Sequence, residues 1–521
     1  MTFKTPGLLT QSLPAGLALI AVLATVGLPE AAQADTPAPP PPVVHEVYPV
    51  PPGGTFTIAG HGSGHGHGLS QWGAYGAAKV AHLSSNQILA FYYPHTTLAT
   101  KAVTQIIRVL LTAADAPAKG YLEFDPADGL EVTPAGGTAM PLPTEAPAGG
   151  GAIDLWRISK AGTALDLQAH WAGTWHDESV GQTPGLGVAS ATLSDTAGLL
   201  GVEVPNGSST TSVHYRGSMV AELESGALQA VDDVTVESYV QSVTPAEMPA
   251  SWTAAALQAQ AVAARTYAWR AIAGPKASWY DLDGDTRDQA YPGAGVETTR
   301  TDNAVHSTAG EVAVDSTGAA IFAQYSSSDG GWTVSGDQPY LPSRRDPYDG
   351  DVPNAEHSWT ATLTATAIAK AYPSIGTLQQ LVITGRDGHG AWGGRVTEMS
   401  IVGSTATVNV TGSQFQSSFG LRSPWFRPSP APGAPTAVSA AAAGHSVTVM
   451  WKPPSAVSGA AAVTGYRVKL APGGQKTTVA ATATTATFSS IAPGNYTATV
   501  IATSAAGAGP AASVPVTVKL L

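Results

Sequence analysis

The chain has 521 residues, a formal charge of −12, 12% charged residues, 57 Gly, 40 Pro and no cysteine. That excludes disulfide staples and thiolate metal sites, and it argues against nucleic acid or anionic lipid as a partner, since both want a basic face. Much glycine and proline with little charge indicates a turn-rich, β-leaning chain of two or three cores, not a helical bundle.

Residues 1–34 read as an export signal, with Lys4 at the front, an apolar run over 15–26 and an Ala32-Gln33-Ala34 cleavage motif. The apolar run is too short to span a membrane, so the mature chain is expected to start at Asp35 and to be secreted. Residues 35–54 are proline-rich and read as an extended spacer, with folded sequence from Thr55. After a block rich in glycine and histidine, 70–83 and 85–93 read as helices, the second stopped by Pro94. Over 106–233 short β-prone runs (IIRVLL, YLEF, LDLQAHW, SMVAEL) alternate with Gly/Pro clusters, which indicates a β-rich lobe. Mixed strands and turns follow to Phe426, then a linker over 427–435. Residues 436–521 alternate as a small sandwich does, with Trp451, Tyr466 and Tyr496 as its aromatics and a tyrosine corner expected at Tyr496.

The segment VTPAEMPASWTAAALQAQAVAARTYAW, 243–269, carries one carboxylate, Glu247, between Pro245 and Pro249. Prolines stiffen the backbone and keep the residue before them out of the helical region. Glu247 is therefore expected on a rigid, non-helical elbow ahead of a helix starting near Ser251 or Trp252. Leu257, Ala261, Ala264 and Ala268 fall on one face of that helix. A fixed acid suits proton transfer; equally, it suits a favourable charge at a helix N-terminus. These two readings pull against each other, because a general acid needs a raised pKa and a helix N-terminus lowers it.

Other polar groups carry weaker signals. His61, His65 and His67 have the spacing of zinc ligands, but glycines surround them and no carboxylate adjoins, so no metal is expected there. The loop YDLDGDTRDQ alternates Asp281, Asp283 and Asp285, yet has Thr286 and Pro292 where a calcium-binding EF-hand needs Gly and Glu; it reads as a solvated acidic turn. The run Ser326-Ser327-Ser328 lacks a nucleophile elbow.

Six ordered blocks carry a family resemblance: GHGHGLSQWGA (64–74), the Glu247 segment, QAYPG (289–293), AVHSTAGEVAV (304–314), FAQYSSSDGGWT (322–333) and GLRSPWF (420–426). Together they resemble the SpoIID/LytB family, with the glycine–histidine block at the start of the region where many relatives carry it late. Leu69 replaces a Met, and Asp329 stands where Ser is common. The C-terminal run resembles a fibronectin type III domain. The implied fold is α+β: a β-rich SpoIID-like region over 55–426 that includes the 106–233 lobe, then an all-β fibronectin type III sandwich.

The resemblance implies a cell-wall-associated lytic transglycosylase of peptidoglycan without a cofactor, with Glu247 as the single general acid/base. The alternative is a glycan-binding enhancer of a cell-wall amidase. Arg265 and, more weakly, Gln260 are implied to hold substrate, with a structural ion pair the other reading for Arg265. His65, Ser70, Gln71, Gln289, Tyr291, Ser327 and Ser328 are expected to hydrogen-bond the sugar chain. Trp72 is expected to pack in the core, with sugar stacking as the alternative.

Overall fold

The computed structural model describes residues 43–519, apart from 52, 181, 182, 185, 430, 457–459 and 505. The export signal and the first part of the proline-rich spacer lie outside the described residues. The second part is not a spacer. Val43–Pro49 is a strand paired antiparallel with Leu378–Arg386, turning Val44 and Tyr48 towards a core. Glu46 on this strand accepts two hydrogen bonds, at 2.6 and 2.9 Å, from the fully buried Arg386. Alternation of inward residues at every second position outweighs the prolines on either side.

An eleven-stranded sheet forms the expected β-rich lobe. At its centre is the long hairpin Ser190–Asn206 and Ser209–Glu224, whose two-residue turn places Gly207 at φ 64°. A positive φ at that first turn position matches the twist of the two strands. Ala227–Thr235 extends the sheet and then becomes a helix with no loop between. Thr235 makes the transition, because its hydroxyl accepts the Ser238 N–H and caps the new helix at 3.2 Å.

That helix, Val236–Glu247, buries Val236, Tyr239, Val240 and Val243 against the lobe, an i, i+3, i+4, i+7 stripe. The sheet thus aims the helix, and the helix carries Glu247 at its last position.

The alanine-rich helix Ala254–Ala273 follows and lies between two cores. Ala261, Ala264 and Ala268 enter the lobe core, while Ala256, Leu257, Ala259 and Val262 enter a second core. The single stripe expected from the sequence is therefore split, and small side chains permit close approach on both sides. The second core also holds the helices Gln71–Lys79 and Ser85–Tyr92, each N-capped by a serine.

A third core joins the sheet containing Val43–Pro49 to the three strands Thr55–His61, Ser358–Thr364 and Phe426–Pro428. The C-terminal sandwich pairs a three-stranded with a four-stranded sheet around Trp451 and Tyr466, whose ring centroids are 5.2 Å apart. Tyr496 donates to Ala492 O at 2.9 Å, which is the expected tyrosine corner. Among the described residues, no helix is long and apolar enough to cross a membrane.

Candidate functional site

Glu247 does not sit on a non-helical elbow before a helix. It is the C-terminal residue of the Val236–Glu247 helix, with Pro245 inside the last turn. Thr244 stays helical although a proline follows it. Its hydroxyl donates to Val240 O at 2.8 Å, its carbonyl accepts the Met248 N–H at 3.0 Å, and its side chain is fully buried. Packing outweighs the local preference. Met248, before Pro249, is extended at φ −135°, and there the helix stops. The next helix starts at Ala254, a few residues later than expected.

This placement reverses the electrostatic expectation. The C-terminal end of a helix carries the negative pole of its dipole, which disfavours a carboxylate and favours its acid form. Burial acts the same way and is the largest influence, so the Glu247 pKa is raised above the ordinary value. Three donors oppose that shift in part: the Ala290 N–H, the Gln71 amide and the Tyr325 hydroxyl. Ala290 N lies 3.0 Å from Oε1 and Gln71 Nε2 lies 3.4 Å from Oε2. None of the groups shifting Glu247 is a second carboxylate.

The donors come from distant stretches of chain. Leu69–Ser70 pairs in parallel with Tyr325–Ser326, which sets Gln71 beside Tyr325. Gln289 is fully buried, accepting from Tyr239 at 3.1 Å and donating to the Tyr325 hydroxyl at 2.8 Å. It holds Tyr325 in place and does not touch Glu247. Gln260, also fully buried, accepts from Gln71 at 3.5 Å, while its own Nε2 has no partner. Glu247, Gln71, Gln260 and Gln289 therefore converge as a group.

Tyr325 and the Ala290 N–H were missed by sequence reasoning, although both lie in quoted blocks. A serine run draws attention away from the neighbouring tyrosine, and a backbone N–H leaves no mark on side-chain type.

Other expected site residues lie elsewhere. Arg265 is fully buried and forms a two-bond ion pair with Glu237, at 2.7 and 2.9 Å, and also donates to the Val305 and Glu311 carbonyls. Glu237 is in the first turn of the helix that ends at Glu247, roughly 15 Å away along the axis. These contacts are those of a buried ion pair. Tyr291 points into the lobe, donating to the buried Asp232 at 2.7 Å. Ser70 caps the Gln71–Lys79 helix, and both Ser70 and Ser328 donate to Asp349, at 2.7 and 2.8 Å. Ser327 accepts the Trp72 N–H through its carbonyl.

His65 bonds the Tyr325 backbone, its pKa is lowered by desolvation, and its Nδ1 accepts the His67 N–H at 2.9 Å. His61 and His67 hydrogen-bond the His357 and Val334 carbonyls at 3.1 and 3.2 Å. Trp72 packs against Trp252, with centroids 4.7 Å apart, as part of the second core.

The acidic loop is not a solvated turn. Asp281 pairs with Arg108 at 2.7 Å, Asp283 with Lys276 at 2.8 Å, and Asp285 with Arg287 at 2.9 Å. Asp281 and Asp283 are buried, and Leu282–Asp283 joins the edge of the large sheet. Arg108 from a distant strand pairs with Asp281, while Lys276 just before the loop and Arg287 within it pair with the other two. A nearby cavity of about 790 Å³ is lined by His67, Tyr267, Arg270, Lys276 and Asp288 among others, but not by Glu247.

Residues 224–314, which include the Glu247 helix and its successor, match the family model described as Stage II sporulation protein, SpoIID. Residues 433–519 match the fibronectin type III domain. The chain carries a SpoIID domain.

An uncharacterized protein of Brachyspira hyodysenteriae is 33% identical over 146 residues, covering 27% of this chain and 39% of that protein. The amidase enhancer of Bacillus subtilis is 38% identical over 130 residues, covering 24% of this chain and 17% of that protein. The chain thus spans well under half the length of either relative. Among solved structures, the FN5 domain of Drosophila Lar is 22% identical, covering 17% of this chain and 99% of that one, with a TM-score of 0.15. The Clostridium perfringens spore cortex lytic enzyme SleM is 15% identical, covering 16% and 28%, also with a TM-score of 0.15. The SpoIID match contains Glu247, Ala290 and Gln289, while Gln71 and Tyr325 lie beyond its limits.

Proposed function

We propose that this protein remodels the cell wall outside the cell, cleaving peptidoglycan glycan strands as a lytic transglycosylase. The observation that carries this reading is Glu247 itself: one carboxyl with a raised pKa, held by three neutral donors and with no carboxylate partner acting on it. Retaining and inverting glycosidases need two carboxyl groups. A transglycosylase needs one, because the substrate supplies the nucleophile.

In this mechanism protonated Glu247 gives its proton to the glycosidic O4 between N-acetylmuramic acid and N-acetylglucosamine. The C1–O4 bond breaks and C1 becomes oxocarbenium-like. The muramoyl O6 then bonds to C1, and its proton passes to the Glu247 carboxylate. A 1,6-anhydro end forms, and the acid is restored.

Digestion of purified peptidoglycan, with and without stem peptides, followed by mass spectrometry tests the reading. Anhydro-muramoyl ends are expected. Ordinary reducing ends would instead mean hydrolysis by water.

The pH dependence follows from the acid role. Activity should fall as pH rises through the raised Glu247 pKa, since only the protonated form can donate. Tyr325→Phe removes a donor that favours the ionised form, so the descending limb should move to higher pH. An unmoved limb in the pH–rate profile would remove Tyr325 from the account.

A second reading rests on the likeness to the amidase enhancer: the chain holds glycan for a partner amidase and cuts nothing. Glycan binding without any cleavage product, together with stimulation of an added amidase, would establish it.

A further inference from the structure

A second polar cluster lies away from Glu247, where the serine–aspartate loop meets the segment 346–349. The carboxylates of Asp329, Asp346 and Asp349 converge there, all buried, each offering an oxygen within 4.8 Å of the others. Two oxygens bound to one calcium ion at about 2.3–2.6 Å have that reach.

Five of the six carboxylate oxygens accept hydrogen bonds. Asp329 Oδ1 accepts the Gly331 N–H at 2.7 Å, and Asp346 accepts the Tyr348 N–H at 2.8 Å and the Tyr92 hydroxyl at 2.6 Å. Asp349 accepts from Ser70, Ser328 and His357, at 2.7, 2.8 and 2.7 Å. The remaining oxygen, Asp329 Oδ2, is fully buried and receives no hydrogen bond from any donor. It faces Asp346, and two carboxyl oxygens that meet in this way need either a shared proton or a cation between them. Arg395 approaches: its Nη2 bonds the Asp329 and Trp332 carbonyls, and its charge acts on Asp329 and Asp349 without a hydrogen bond to either carboxylate. Oriented carboxylates with a supporting ring of donors are how proteins build cation sites.

We propose that Asp329, Asp346 and Asp349 form a binding site for a hard divalent cation, calcium in the first place. Oxygen-only ligands, and three of them anionic, select calcium or magnesium over softer metals. The ion would also brace Ser70, which starts the helix that carries Gln71 to Glu247. This site does not depend on the transglycosylase reading.

The test uses the full mature chain, treated with EDTA and dialysed at neutral pH. Calcium and magnesium chloride are titrated in by calorimetry, and terbium chloride by luminescence excited through tyrosine; Tyr92 touches Asp346 directly. Saturable binding of one calcium and a higher melting temperature with calcium are expected. Asp329→Asn should weaken calcium by about 100-fold or more, beyond the usual effect of losing an outer partner. Without calcium it should melt at or above the wild type, because the new amide can donate to Asp346. Asp329→Ser serves the same purpose if the Asn variant does not fold.

No calcium, magnesium or terbium binding up to roughly 10 mM, above the range of extracellular calcium modules, would overturn the proposal and leave a proton shared by Asp329 and Asp346. Unchanged calcium affinity in the variants would overturn it too.

Discussion

Glu247→Gln is expected to slow glycan cleavage by about 10²–10⁴-fold, the usual contribution of a positioned general acid. The fold should survive. The glutamine Oε1 can still accept the Ala290 N–H, and the helix is held by Val236, Tyr239, Val240 and Val243, which do not change. Stability should even improve at neutral pH, with the sign set by the raised pKa. A carboxyl whose folded pKa exceeds its unfolded value stabilises fully below the unfolded value, and that stabilisation is lost as pH rises through the folded one. Near neutrality the wild type thus holds a partly desolvated charge that the amide does not have. Thermal melts should show the variant gaining on the wild type between acid and neutral pH. Cleavage assays on the same samples then separate loss of chemistry from loss of fold. Full activity in the variant would remove Glu247 from the mechanism and leave the enhancer reading.

Arg265→Met should do the opposite, damaging the fold and sparing the chemistry. The guanidinium is fully buried, and its removal leaves Glu237 with the Gly310 N–H but no positive charge. Breaking one side of a buried ion pair costs about 3–5 kcal/mol, to be read from urea unfolding. Adding Glu237→Gln should recover part of that loss. At a temperature where the single variant remains folded, its KM for glycan should match the wild type. A large rise in KM with normal stability would instead place Arg265 against substrate.

The two residues show where sequence reading succeeds and where it stops. The order of the blocks, the lobe, both early helices and the C-terminal sandwich with its tyrosine corner were legible, because periodicity and turn chemistry are local. Glu247 stood out for the same reason. Its place at a helix C-terminus did not, because a proline rule that holds at Met248 is overruled at Thr244 by burial and a hydroxyl–carbonyl bond. Ion pairing is equally hidden. Arg265 and Glu237 are 28 residues apart, and the acidic loop finds Arg108 from a strand 173 residues earlier. Tyr325 reaches Glu247 only through a two-residue parallel pairing with Leu69–Ser70. Residues 43–49 were hidden by the prolines around a short alternating run.

The pairing of Leu69–Ser70 with Tyr325–Ser326 has a further consequence, for how this site can be inherited. The stretch that a family comparison picks out, 224–314, includes the acid but neither Gln71 nor Tyr325. What looks like a portable module is therefore incomplete by itself. Transplanted at those boundaries, it would keep Glu247 and lose two of the three groups that balance its proton. The unit that evolution must move intact is larger than the unit that similarity detects, and it is stitched from both flanks.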